Sequence, residues 1–200
     1  MTVGEPTATA TTAPAATAFA TPDAWYAWLT EHHGAADGLW LKLAKRGAPE
    51  PTLSYAEALD VALCFGWIDA QTRSLDGSYW LKRFTPRKPA SRWSRINTKK
   101  AEALIAAGRM QPAGLVEVER ARADGRWDAA YAGPRTITVP ADLTAALAET
   151  PEAAAFFATL SSLNRYAILY RLATVKRAET RERKITQFVQ MLAEHRTLHP

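Results

Sequence analysis

The residues best suited to chemistry in this chain fall between Trp67 and Asn97. Asp69, Gln71 and Arg73 alternate along one extended run that begins at Trp67, so a regular strand would present all four on a single face. Such a row is costly to bury unless each polar group finds a partner. Arg83 and Arg87 follow, and a turn-rich stretch then supplies Ser91, Trp93, Ser94 and Asn97. Guanidinium groups suit bidentate contact with a carboxylate or phosphate, and tryptophan offers a flat wall. Trp67, Asp69, Arg73, Arg83, Arg87, Ser91, Trp93, Ser94 and Asn97 therefore make a candidate site for a small anionic or aromatic ligand. In the plainer reading Asp69 pairs with Arg73, Arg83 or Arg87 and locks the loop onto the sheet. Spacing alone leaves both open. Asp69 is the one carboxylate here to consider as an acid or base.

Catalysis in any recognisable form is not signalled. The chain has no phosphate-cradling glycine loop, metalloprotease histidine pair or nucleophile elbow, so catalytic residues stay unassigned and no cofactor is expected. Cys64 lies in Ala62-Leu63-Cys64-Phe65 with no histidine near it in sequence to activate it, which points to a structural thiol. A single cysteine excludes an internal disulfide framework and suits a reducing compartment; without an export signal, the expectation is cytoplasmic. His195 and His199 stand four apart near the end of the chain but lack a carboxylate partner set, so no metal site is expected.

Stepping outward, the elements that must hold this cluster are readable from periodicity. Thr21-Pro22-Asp23 opens a helix whose apolar face carries Trp25, Trp28, Leu29 and His32. Leu39 to Leu43 alternates as a half-buried strand with the three leucines on one side. Ser54-Tyr55-Ala56-Glu57 has the form of a capping box ahead of a helix that Gly66 ends. Trp67–Arg73 and Tyr79–Phe84 flank Leu75-Asp76-Gly77-Ser78, a hairpin signal. Beyond Ser94 the pattern is helical: Asn97 can cap a helix closed by Gly108, Pro112 begins another, and further helices carry Leu143 and Leu147, then Phe156 and Phe157, then Tyr166, Leu169 and Leu172, and last Ile185, Phe188, Val189 and Leu192. The fold class is α+β, mainly α-helical, with a small antiparallel sheet of about three strands in the N-terminal half and a helical C-terminal module. The expected division is a disordered Ala/Thr/Pro tail over 1–18, an α+β domain over 19–140 and the helical module over 141–200. No apolar run is long enough to span a membrane.

The net charge of +5 is uneven. Residues 81–110 hold nine basic side chains and one acidic, while 161–200 hold eight basic and three acidic. The first block mixes cations with Phe84 and Trp93, as backbone neutralisation with base stacking would use, so nucleic-acid binding through residues 81–110 is the alternative function. In the second, Arg177, Arg181 and Lys184 share a face opposite the apolar stripe, interrupted by Glu179 and Glu182, and read as a solvated helix. Of the seven tryptophans, Trp25, Trp28, Trp40, Trp67 and Trp80 fall on helix or strand positions where core packing is the default, and Trp127 is a loop anchor; only Trp93 sits in a loop amid cations. A third reading uses the tryptophans as a protein–protein interface.

Several segments together carry a resemblance. Ala62-Leu63-Cys64-Phe65-Gly66-Trp67-Ile68-Asp69, Arg83-Phe84-Thr85-Pro86-Arg87 and Ser91-Arg92-Trp93-Ser94-Arg95-Ile96-Asn97 resemble the YdeI/OmpD-associated, or bacteriocin-protection, family. Gly108-Arg109-Met110, Pro112-Ala113-Gly114, Gly125-Arg126-Trp127-Asp128 and Lys176-Arg177-Ala178-Glu179-Thr180-Arg181 continue it in order, from about Phe19 to the end. The resemblance implies a stress- or antimicrobial-resistance role in a bacterium and, by the family's name only, association with a porin. It supplies no catalytic residues. Its motifs coincide with the polar cluster, which favours an unidentified small molecule as the partner.

Overall fold

A computed structural model describes residues 15–200. The expected tail lies outside the described residues up to position 14, while Thr17 is already bonded to the first strand. Its N–H donates to the Trp40 carbonyl, and its carbonyl accepts from the Lys42 N–H, both at 2.9 Å. The chain divides into two compact units, each discontinuous in sequence. The first comprises the described residues up to Ser91 together with Lys100–Ala123; the second comprises Arg92–Lys99 and Asp124–Pro200.

In the first unit, α1 (Pro22–His32) starts where the cap–proline–acid sequence places it, with Thr21 Oγ1 accepting from the Ala24 N–H at 3.2 Å. Strand β1 spans Leu39–Ala44 and α2 spans Tyr55–Cys64. The capping box at the start of α2 is complete: Ser54 Oγ accepts from the Glu57 N–H, and Glu57 Oε2 accepts from the Ser54 N–H. That backbone donor, foremost, holds the Glu57 carboxyl below its ordinary range. Strands β2 (Trp67–Ser74) and β3 (Tyr79–Pro86) form the hairpin, its turn fixed by Asp76 Oδ1, which accepts from the Ser78 and Tyr79 N–H groups at 2.8 Å each. The sheet is antiparallel throughout, in the order β1-β3-β2.

One face of the sheet carries the unit's core. Trp25 is fully buried, edge-on to Trp67 at 6.1 Å and 6.0 Å from Phe84, and its indole N–H donates to the Ala58 carbonyl. Leu41, Leu43 and Phe84 fill the same side. The other helix of this unit, α4 (Pro112–Ala123), packs on α2 through Gly114. A Cβ there would collide with the Cys64 carbonyl, so only glycine permits the approach. The Cys64 thiol donates to the Asp60 carbonyl, and burial pushes its pKa up, as befits an inert structural thiol.

Helix α3 (Arg95–Ala106) crosses the division between Lys99 and Lys100. Its cap is Ser94 and not Asn97: Ser94 Oγ accepts from the Asn97 N–H at 3.1 Å, and Asn97 lies inside the first turn, past the position from which a side chain can cap. The second unit then adds α5 (Ala141–Ala148), α6 (Pro151–Thr159), α7 (Ser162–Ala173) and α8 (Ala178–Ala193) around a core of Leu143, Leu147, Phe157, Ile168, Leu172, Phe188 and Leu192. Arg181 departs from the solvated-helix expectation. Its Nε and Nη2 bond the two oxygens of Asp142 at 2.5 and 3.0 Å, and Nη1 bonds the Leu172 carbonyl at 2.6 Å, joining three helices. Asn164 is buried; it accepts from the Leu198 and His199 N–H groups and donates to the His199 carbonyl, holding residues 198–199 against α7. Among the described residues, no helix is long and apolar enough to cross a membrane.

Candidate functional site

An irregularity in β2 divides the row that the sequence places on one face. Asp69 stands opposite Phe84 and Thr72 opposite Lys82, so Ala70 and Gln71 together face the single residue Arg83. This two-against-one step is a β-bulge. Before it, Trp67 and Asp69 share the helix-facing side with Pro86 and Phe84. After it, Arg73 stands opposite Leu81, whose side points the other way. Arg73 is therefore separated from Trp67 and Asp69 by the thickness of the sheet, contrary to the single-face expectation.

On the helix-facing side the polar groups are engaged with one another. Asp69 Oδ2 accepts from the Tyr55 hydroxyl at 2.9 Å and from Lys82 Nζ at 2.8 Å. The same ammonium reaches Thr72 Oγ1 at 3.1 Å and the Ala70 carbonyl at 3.4 Å, and it lies 5.5 Å from the centre of the Tyr55 ring. Asp69 thus pairs with Lys82, a residue outside the candidate set, and not with Arg73, Arg83 or Arg87. With two donors on one oxygen, its arrangement is that of a structural carboxylate.

The outward side differs. Arg73, Leu81 and Lys42 form one row across the three strands, and Arg83 stands opposite Trp40 in the neighbouring row. The Arg73 guanidinium lies 5.1 Å from the centre of the Trp40 ring, and Lys42 Nζ lies 3.8 Å from that of Tyr79. Between these two bridges Leu81 is 1% exposed. Gly38, at φ +147°, leaves room beside Arg83, because a Cβ there would meet Arg83 Nε at 3.1 Å and the Phe84 carbonyl at 2.9 Å. Among the described residues, none of Lys42, Arg73 and Arg83 forms an ion pair, although the Asp76 carboxylate in the hairpin turn lies within electrostatic reach of Lys42. Like charges gathered on one sheet face repel, and an anion among them removes that cost.

The other predicted residues are placed as follows. Arg87 is buried just beyond β3, where its N–H donates to the Gly66 carbonyl, and Ser91 Oγ accepts from the Lys88 N–H in the following turn. Trp93, Ser94 and Asn97 belong to the second unit. Trp93 is 1% exposed and packs 4.9 Å from Trp127, which makes it a core residue of that unit. The basic block over 81–110 does not form one exposed strip: Lys82 is held by Asp69, Lys100 by Asp60 at 2.5 Å, and Arg95 Nε by the Ala130 carbonyl. Trp40 and Lys42, which residue types alone assigned to core and strand, join the outward face. The alternation of Leu39, Leu41 and Leu43 was their signal, since it turns residues 40 and 42 away from the leucines.

In the second unit, a cavity of about 80 Å³ is lined by Pro134, Ile137, Ser162, Arg165, Tyr166 and Leu169. Burial, with the neighbouring phenols of Tyr131 and Tyr170, pushes the Tyr166 hydroxyl up to about 12, so it stays protonated. His195 stacks on Phe156 at 4.9 Å. Among the described residues, no three His, Cys, Asp or Glu side chains gather to hold a metal.

The class is thus an α+β protein with a three-stranded sheet, an outward cationic and aromatic face, and a helical C-terminal module. Residues 17–117, just over half of the chain, match the family described as "Domain of unknown function (DUF8412)", and the chain belongs to it. Residues 136–195 match the family described as "Bacteriocin-protection, YdeI or OmpD-Associated", so the C-terminal module is of that type. No curated protein and no solved structure matches.

Proposed function

We propose that this chain is a resistance-associated binding protein that takes a small anionic, aromatic ligand on the outward face of its N-terminal sheet. The observation that carries the reading is the grouping of Lys42, Arg73 and Arg83 with Trp40 on that face, none of the three cations being in an ion pair among the described residues. Arg73 and Arg83 come from the cluster over 67–97; Trp67, Asp69 and Arg87 serve as scaffold for them. A planar anion stacks against the Trp40–Arg73 pair while Arg83 and Lys42 meet its charge. The name of the C-terminal family attaches bacteriocin protection to this reading. A cationic face repels cationic peptides, so protection of that kind would act through an anionic ligand and not by soaking up the peptide.

The test is titration of 8-hydroxypyrene-1,3,6-trisulfonate, a planar aromatic trianion, into the full chain. Arg73→Gln with Arg83→Gln should weaken binding by at least about 10- to 100-fold, since loss of even one charge-assisted contact costs about 1.5–3 kcal/mol. Absence of binding to the wild type, or equal binding by the double variant, overturns the reading. A parallel titration with a single-stranded oligonucleotide gives the nucleic-acid alternative its own outcome. Binding there should be tighter than to the trianion and fall steeply with salt.

A further inference from the structure

Arg73 joins the outward face only because β2 changes sides at its bulge. Without the extra residue, Arg73 would share a side with Asp69 and Trp67, and the outward face would lose one of its cations. At the bulge the extra residue is left unpaired and the ladder is locally disrupted, so a side chain bonded on both sides of the step can help fix it. The side chain that spans this bulge is Lys82.

We infer that Lys82 is a positioning residue that acts through the sheet: by clamping the β2 bulge from the helix-facing side, it sets Arg73 over Trp40 on the outward side. The ammonium contacts Asp69 before the step, the Ala70 carbonyl within it and Thr72 Oγ1 after it, at 2.8, 3.4 and 3.1 Å. An ammonium with three donors can satisfy all three acceptors, and no neutral side chain of that length has three donors to offer. Its side chain is 11% exposed and that of Asp69 21%, so this ion pair is partly shielded from water, while Ala70 and Thr72 are exposed. Tyr55 fixes the arrangement from α2 by donating to the same Asp69 oxygen. Lys82 lies on the side of the sheet that faces α2, so its influence on the outward face runs through the register of Thr72 and Arg73.

This inference rests on the proposed ligand face for its purpose, but it can be tested apart from it. The reporter is the Arg73 side-chain NMR signal, which the Trp40 ring displaces while the guanidinium lies over it. The control is the Lys42 ε-methylene signal over Tyr79, on strands that carry no bulge. In Lys82→Met the Arg73 signal should move to its ring-free position, the Lys42 signal should stay, and affinity for the pyrene trisulfonate should fall about tenfold. Lys82→Arg should restore a good part of both. Thr72→Val removes one of the three acceptors, keeps the Asp69 pair, and should show a smaller shift in the same direction; it decides the matter if Lys82→Met fails to fold. An Arg73 signal unmoved in a folded Lys82→Met, or in Thr72→Val where Lys82→Met does not fold, overturns the inference. If wild type does not bind the trianion, the ligand reading falls while the Arg73 signal still decides the role of Lys82.

Discussion

Arg181 in the second unit reads from sequence as part of a solvated helix face and Arg73 in the first as a candidate ligand contact, and their surroundings are opposite. Arg181 meets both oxygens of Asp142 and the Leu172 carbonyl, so its charge is answered and its donors tie α5, α7 and α8 together. Arg73 lies on an indole ring, with Lys42 and Arg83 on the same face, and among the described residues none of the three is in an ion pair. The block counts do not capture this difference: the 81–110 block contains the engaged Lys82 and Lys100 along with Arg83, and the 161–200 block contains a structural staple. A cation with fitted acceptors serves the fold, whereas cations without them on one face are the basis of the proposed ligand surface.

The largest expected effect on stability breaks the comparison if it fails. Arg181→Ala removes a two-pronged ion pair and leaves the Leu172 carbonyl without its side-chain donor. Hydrogen bonds to charged groups contribute about 1.5–3 kcal/mol. The pair is discounted for exposure, with side chains 26% and 43% accessible, so a loss of about 1–2 kcal/mol is expected in urea denaturation. Arg73→Ala should change the same measurement by less than about 0.5 kcal/mol. Equal losses from the two would show that the outward cations are also structural.

A pH titration sharpens the same contrast. The Arg181 guanidinium, foremost, holds the Asp142 carboxyl below its ordinary value of 3.8, with the Leu143 N–H assisting. A folded-state value below the unfolded one means that the carboxylate stabilises the fold above about pH 4 and loses that contribution as pH falls through the folded value. Wild type should therefore lose stability more steeply than Asp142→Asn as pH drops below about 4. Identical slopes would mean that the pair is solvated.

Much of this fold is legible in the sequence because local signals and long-range packing agree. The proline and capping-box starts of α1 and α2, the Asp76-Gly77 hairpin and the apolar stripes of α5 to α8 all appear where periodicity puts them. The site was less legible, for a physical reason. Alternation in β2 is a correct rule for a regular strand, but Ala70 and Gln71 carry no glycine or proline to announce a bulge, and the bulge is held by Lys82 from another strand. Likewise Trp93 reads as a loop residue among cations, and only its partner Trp127, 34 positions away, makes it core. Residue types drew attention to the 67–97 stretch, and cross-strand partners, which sequence does not print, decide on which side of the sheet each group lies.

The smallest effect is the most discriminating. If Lys42, Arg73 and Arg83 repel one another, screening should relieve them: the Debye length shrinks from about 30 Å at 0.01 M salt to about 8 Å at 0.15 M. Thermal unfolding of Arg181→Ala, which lacks the competing ion pair, should then show a gain of a few tenths of a kcal/mol over that range. Adding Arg83→Gln should reduce the gain, since one of three mutually repelling charges is gone. Sulfate compared with chloride at equal ionic strength separates screening from binding, because a divalent anion seated among the three cations adds stability beyond the Debye effect. A sulfate excess that Arg83→Gln abolishes would show that this face takes an anion even when no aromatic ring accompanies it. Equal salt responses with and without Arg83 would show that the three cations are solvated independently, and the distinction between answered and unanswered charge would no longer separate the two regions.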